Sequence, residues 1–67
     1  MTLYDKFMSS YFDGRIWRIY EHSTHRLLCK DYGSLKADDV SLDDRLFVKA
    51  ELKKNKFGLE YWRVAVA

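Results

Sequence analysis

Near the start of the chain, apolar residues recur at Leu3, Tyr4, Phe7, Met8, Tyr11 and Phe12. Steps of one, three and four place them on one stripe of a helix. The spacing predicts a helix over 3–12. Thr2 is its natural N-cap, and Asp5 suits the positive end of the helix dipole. Gly14 sits where a left-handed C-terminal residue is wanted. A helix of three turns is marginal alone in water, so its aromatic stripe must dock on something.

The period then changes. Residues 15–22 (Arg-Ile-Trp-Arg-Ile-Tyr-Glu-His) and 26–32 (Arg-Leu-Leu-Cys-Lys-Asp-Tyr) are rich in the types that favour a pleated surface. The short link between them implies antiparallel neighbours, with Ile19 facing Leu27, Trp17 facing Cys29 and Arg15 facing Asp31. Two later segments alternate more cleanly. Over 45–54, Leu46, Val48, Ala50 and Leu52 share one face; over 59–66, Trp62, Val64 and Val66 do. Lys56-Phe57-Gly58 fits a three-residue loop with Gly58 in the left-handed position. That loop sets Leu52 opposite Trp62, Ala50 opposite Val64 and Val48 opposite Val66. On the other face it sets Glu51 opposite Arg63 and Lys53 opposite Tyr61. The predicted class is α+β: a short N-terminal helix, then two β-hairpins forming a curved four-stranded antiparallel sheet or a small, partly closed barrel.

Composition narrows the class of protein. Sixty-seven residues make one small domain over 1–67; 48% are hydrophobic and 16% aromatic, too many for a disordered tail. One cysteine and no proline leave the core to aromatic bulk, or to a partner. No stretch approaches the apolar length a spanning helix needs, and Asp5 and Lys6 interrupt any leader-like run. A cytoplasmic protein with no membrane partner is the expectation.

The net charge of +2 conceals a partition. Residues 37–44 carry Asp38, Asp39, Asp43 and Asp44 and no base. Residues 45–67 carry Arg45, Lys49, Lys53, Lys54, Lys56 and Arg63 against Glu51 and Glu60. The last two strands should therefore show Phe47, Lys49, Lys53, Tyr61 and Arg63 on their non-core face, with Lys54, Lys56 and Phe57 near the tip. Cations interleaved with rings suit single-stranded nucleic acid, where cations offset phosphate charge and rings stack on bases. Lysine at a hairpin tip also serves simply to keep sheet edges apart. A dedicated reader of duplex DNA is usually more basic than this. In pattern alone, 45–66 resembles the last hairpin of OB-type and cold-shock domains. The paired aromatic motifs of those families are missing from 15–20, so the likeness assigns no binding residue.

Other chemistry finds little support. His22, His25 and Cys29 are close in sequence, but Cys29 on the Trp17 face diverges from His22 in the turn, and a fourth metal ligand is lacking. As a small core residue, Cys29 makes a poor nucleophile in any Cys–His pair. The four aspartates do not match a calcium loop. The glycines at 14, 33 and 58 form no phosphate-binding pattern. So small a domain hardly encloses a pocket, so neither catalysis nor a cofactor is expected. Two functions remain: single-stranded nucleic-acid binding, or a protein-docking accessory factor of the inhibitor or adaptor kind, comparable to small phage or mobile-element proteins. The second draws on a surplus of aromatics (Phe12, Trp17, Tyr20, Tyr32, Tyr61 and Trp62) that so small a core need not hide. A homodimer through an exposed edge of the first or fourth strand fits either.

Overall fold

The computed structural model describes residues 1–9, 14–32 and 42–67. Helix α1 (Leu3–Ser9) precedes four strands: β1 (Ile16–Glu21), β2 (Leu27–Cys29), β3 (Phe47–Lys54) and β4 (Glu60–Val66). One short helix and one open four-stranded sheet make the fold α+β. The strand order is β2-β1-β4-β3.

The sheet is mixed, which corrects the expectation of an antiparallel sheet or barrel. At its centre β1 and β4 run parallel, in register from Ile16↔Tyr61 through Trp17↔Trp62, Arg18↔Arg63 and Ile19↔Val64 to Glu21↔Val66. β2 and β3 are antiparallel to these two and form the edges. The first and fourth strands are therefore interior, and neither offers the free edge a dimer was expected to use. The physical reason is that β1 has β4, running the same way, as its second neighbour; β2 and β3, each antiparallel to one of this pair, therefore point the same way. Tyr32 and Leu42, described residues between β2 and β3, are both buried in the core. Residues 33–41, with Asp38 and Asp39, lie outside the described residues.

The core fills one face of the sheet. Leu3, Ile19, Val64 and Val66 are fully buried, and Trp17, Tyr32 and Leu42 complete the cluster. Phe7 meets Trp17 edge-on at 5.0 Å and Tyr32 edge-on at 5.1 Å, the arrangement the ring quadrupoles favour. The tyrosine hydroxyl donates to Asp43. Of the expected helical stripe, Leu3 and Phe7 face the core, whereas Tyr4 and Met8 are exposed. Tyr11 and Phe12 lie outside the described residues. The cap is reciprocal: the Asp5 amide donates to Thr2 Oγ1 (3.1 Å), and the Thr2 amide donates to Asp5 Oδ2 (3.4 Å). Backbone bonds from Leu3 to the Arg45 carbonyl and from Phe47 to the Met1 carbonyl fasten the N-terminus along the start of β3.

Two bulges alter the expected registers. Between β1 and β2 the partners are Ile19↔Cys29 and Tyr20↔Leu27, with the shift between Ile19 and Tyr20. The expected Ile19–Leu27 and Trp17–Cys29 pairs do not form. His25 closes the turn in the left-handed region, at φ 61°, a conformation histidine tolerates better than most side chains. Between β3 and β4 the partners Leu52↔Trp62, Glu51↔Arg63, Ala50↔Val64 and Lys53↔Tyr61 are those the loop length implies. The register breaks at Val48, so Phe47 rather than Val48 stands opposite Val66. Phe47 thereby turns onto the core face and packs against it. Leu46, Val48 and Leu52 stay exposed because β3 lies at the sheet edge, beyond the part of the core built on β1 and β4.

Ile19→Ala should destabilise the domain by about 2–5 kcal/mol. That is a large share of the few kcal/mol a chain this size possesses, so thermal unfolding monitored by circular dichroism should show a fall in Tm far larger than for Leu46→Ala at an exposed position. Gly58 has φ +83°, and the space a Cβ would take there is open. Gly58→Ala should therefore cost about 1–2 kcal/mol through backbone conformation alone, read from the same melts.

Candidate nucleic-acid interface

The face opposite the core is built by strand alternation. β1 sends Trp17 and Ile19 inward and presents Ile16, Arg18 and Tyr20; β4 sends Trp62, Val64 and Val66 inward and presents Tyr61, Arg63 and Ala65. β3 adds Lys49, Glu51 and Lys53 beside them. The paired registers arrange these side chains in rows: Ile16, Tyr61 and Lys53; then Arg18, Arg63 and Glu51; then Tyr20, Ala65 and Lys49. Strand and residue spacings give this grid a size of about 10 by 13 Å. No described helix or strand crosses it.

Parallel pairing puts two like charges, Arg18 and Arg63, directly opposite each other. Each guanidinium lies diagonally over a tyrosine of the other strand. Arg18 Cζ is 4.7 Å from the Tyr61 ring centre, and Arg63 Cζ is 4.2 Å from that of Tyr20. Each such contact contributes about 0.5–1 kcal/mol at a partly exposed site and offsets the repulsion. Neither arginine forms an ion pair with a carboxylate among the described residues. All four side chains are half-buried, so part of each ring and each guanidinium reaches solvent.

Glu51 is the single acid among the described residues of this face. Although it stands opposite Arg63, its carboxylate goes to its own strand: Oε1 lies 3.3 Å from Lys49 Nζ and Oε2 lies 3.1 Å from Lys53 Nζ. Hydrogen bonds from Lys53 and Lys49, reinforced by their charge, hold its pKa below the ordinary value of 4.5. The face thus carries four cations against one carboxylate. Ala65, only 2% exposed, forms its floor between longer neighbours.

The structure brings together Lys49, Lys53, Tyr61 and Arg63 from the set expected to bind nucleic acid. It removes Phe47, which the Val48 bulge turns to the core side, where Lys6 Nζ lies 5.3 Å from its ring centre. Lys54 alternates to the side away from Lys53. Lys56 and Phe57 stand beyond the end of the sheet, in the 55–59 loop. Arg18 and Tyr20, which the expected set lacks, join the face. A signal for them exists in the sequence: Trp17-Arg18-Ile19 and Trp62-Arg63-Val64 are the same Trp-Arg-β-branched triplet, and the two lie side by side.

The residues of the discounted metal site lie apart from this face. His22 and His25 are exposed, Cys29 is half-buried against the core, and no group of three metal-ligating side chains forms among the described residues. No described helix is long and apolar enough to cross a membrane. No protein-family model, no curated protein and no solved structure matches the chain.

Because its folded-state pKa is depressed, the Glu51 clamp is complete above pH 4.5 and is lost as the pH falls through that lowered value. A side-chain NMR titration should give Glu51 a midpoint below 4.5, and Lys49→Ala with Lys53→Ala should return it toward that value.

Proposed function

We propose that the open face of the sheet binds single-stranded nucleic acid without catalysis. The observation that supports this is the interleaving of half-buried Arg18 and Tyr20 with Tyr61 and Arg63 on one sheet face, flanked by exposed Lys49 and Lys53. The chemistry is direct. A guanidinium already lying on a tyrosine stacks a base on its free plane or turns to a phosphate, and the tyrosine edges extend the platform. Aromatic rings on central strands give bases a stacking surface that tolerates any sequence. With four cations and one acid, affinity should be modest and electrostatic, in the range of non-specific binders.

The protein-docking alternative rests on surplus aromatics, and much of that surplus is taken up by the core. Trp17 and Tyr32 are buried, and Trp62 packs against the core cluster. Tyr20 and Tyr61 are engaged by arginines on the open face. The nucleic-acid reading is therefore the stronger one.

Fluorescence anisotropy with a labelled oligothymidylate tests it. Log affinity against log salt should fall with a slope of about −2 to −3, as expected for three or four neutralised phosphates on a single strand. Tyr61→Ala and Tyr20→Ala should each weaken binding about fivefold or more, the loss of one stacked base. Glu51→Gln should tighten it by freeing Lys49 and Lys53. No binding at low salt, or binding indifferent to both tyrosines, defeats the proposal.

A further inference from the structure

The loop between β3 and β4 is a second surface with different chemistry. Asn55 closes it almost entirely from within. Its Oδ1 accepts from the amides of Phe57 (2.9 Å) and Leu59 (3.0 Å). Its carbonyl accepts from Gly58 (3.0 Å), and its own amide donates to the Leu59 carbonyl (2.9 Å). Four backbone donors are thus satisfied inside five residues, with Gly58 supplying the left-handed bend at φ 83°.

This closed loop holds its two largest apolar side chains in water. Phe57 is 77% exposed and Leu59 is 65% exposed. Lys56 Nζ lies 5.2 Å from the Phe57 ring centre. Lys54 and Lys56 form no ion pair among the described residues. The nearest acid in register, Glu60 opposite Lys54, is instead held by Arg15 at 3.0 Å. The tip therefore presents an apolar point with two uncompensated cations behind it.

We infer that residues 54–59 dock on an anionic phospholipid surface, with Phe57 and Leu59 entering the interfacial layer and Lys54 and Lys56 meeting the headgroups. Two observations, the internally bonded loop and the basic collar behind an apolar tip, favour this occupant over nucleic acid. A loop that cradles phosphate leaves its amides free to donate, and here four are taken. A loop entering a layer poor in water must satisfy its donors internally, and here four of the five amides of residues 55–59 are so satisfied. The pairing of apolar tip and basic collar is that of interfacial attachment rather than base stacking. Interfacial attachment through such a tip needs no spanning segment. The tip is also independent of the sheet face, whose residues occupy other positions.

Co-sedimentation of the full chain with vesicles tests the inference. Vesicles of equal parts phosphatidylcholine and phosphatidylglycerol should retain the protein about 25-fold better than phosphatidylcholine alone, a gain of roughly fivefold for each lysine near the surface. Phe57→Ser with Leu59→Ser should abolish retention, and Lys54→Glu with Lys56→Glu should reduce it to the phosphatidylcholine level. Circular dichroism checks that these exposed substitutions leave the fold intact. Tyr20→Ala with Tyr61→Ala should leave vesicle binding unchanged, so failure of the sheet-face reading is visible separately. A Phe57→Trp variant should gain blue-shifted emission on anionic vesicles relative to the natural Trp17 and Trp62 signal. Equal retention on both vesicle types, retention that survives Phe57→Ser with Leu59→Ser, or a Phe57→Trp signal unmoved by vesicles overturns the inference. So does loss of oligonucleotide binding, rather than vesicle binding, in the tip variants.

Discussion

The parallel contact between β1 and β4 governs this molecule. It joins the first and last strands, so the chain closes on itself through its centre rather than at an edge. Each of the two strands carries a Trp-Arg-β-branched triplet, and the parallel register sets them level. On one side this aligns Trp17 with Trp62 and Ile19 with Val64, so the core has a continuous floor. On the other it aligns Arg18 with Arg63. One pairing therefore supplies both burial on one side of the sheet and the paired arginines on the other. Tyr32 and Leu42, described residues between β2 and β3, are buried in the same core.

So small a domain must draw more than one contribution from each residue. A chain this short buries only about 60% of its unfolded surface, and no disulfide supplements it. Edge-to-face contacts of Phe7 with Trp17 and Tyr32 concentrate apolar area where aliphatic side chains would leave gaps. On the open face the same double use takes another form. Tyrosines that would otherwise be exposed apolar surface support arginines that would otherwise repel each other. Glu51 draws in two lysines that would add to that repulsion. The guanidinium planes and lysine heads of this face remain partly open to solvent.

The edges and the tip obey different constraints. At the outer side of β3, the N-terminal residues pair with its start and a bulge follows at Val48. Both features discourage further strand addition, as do Lys49 and Lys53. At the tip the Asn55 network closes the loop through its own backbone, and Phe57 and Leu59 stay exposed. Two surfaces result, one flat with arginine and tyrosine, one pointed with phenylalanine, leucine and lysine, and no residue is shared between them.

The sequence by itself determined which residues alternate and where the chain bends. Val64 and Val66 inward, Lys53 opposite Tyr61, Gly58 in the left-handed region and Thr2 on the helix cap all follow from periods and turn chemistry acting over a few residues. Only the tertiary structure decided the partner of β1. Alternation fixes which way a side chain faces but is blind to which strand lies beside it or in which direction that strand runs. Arg18 and Tyr20 therefore share a face with Tyr61 and Arg63 only because β4 lies next to β1. Phe47 left it through a bulge, a one-residue slip that local pattern does not encode and that the fit of β3 to β4 imposes.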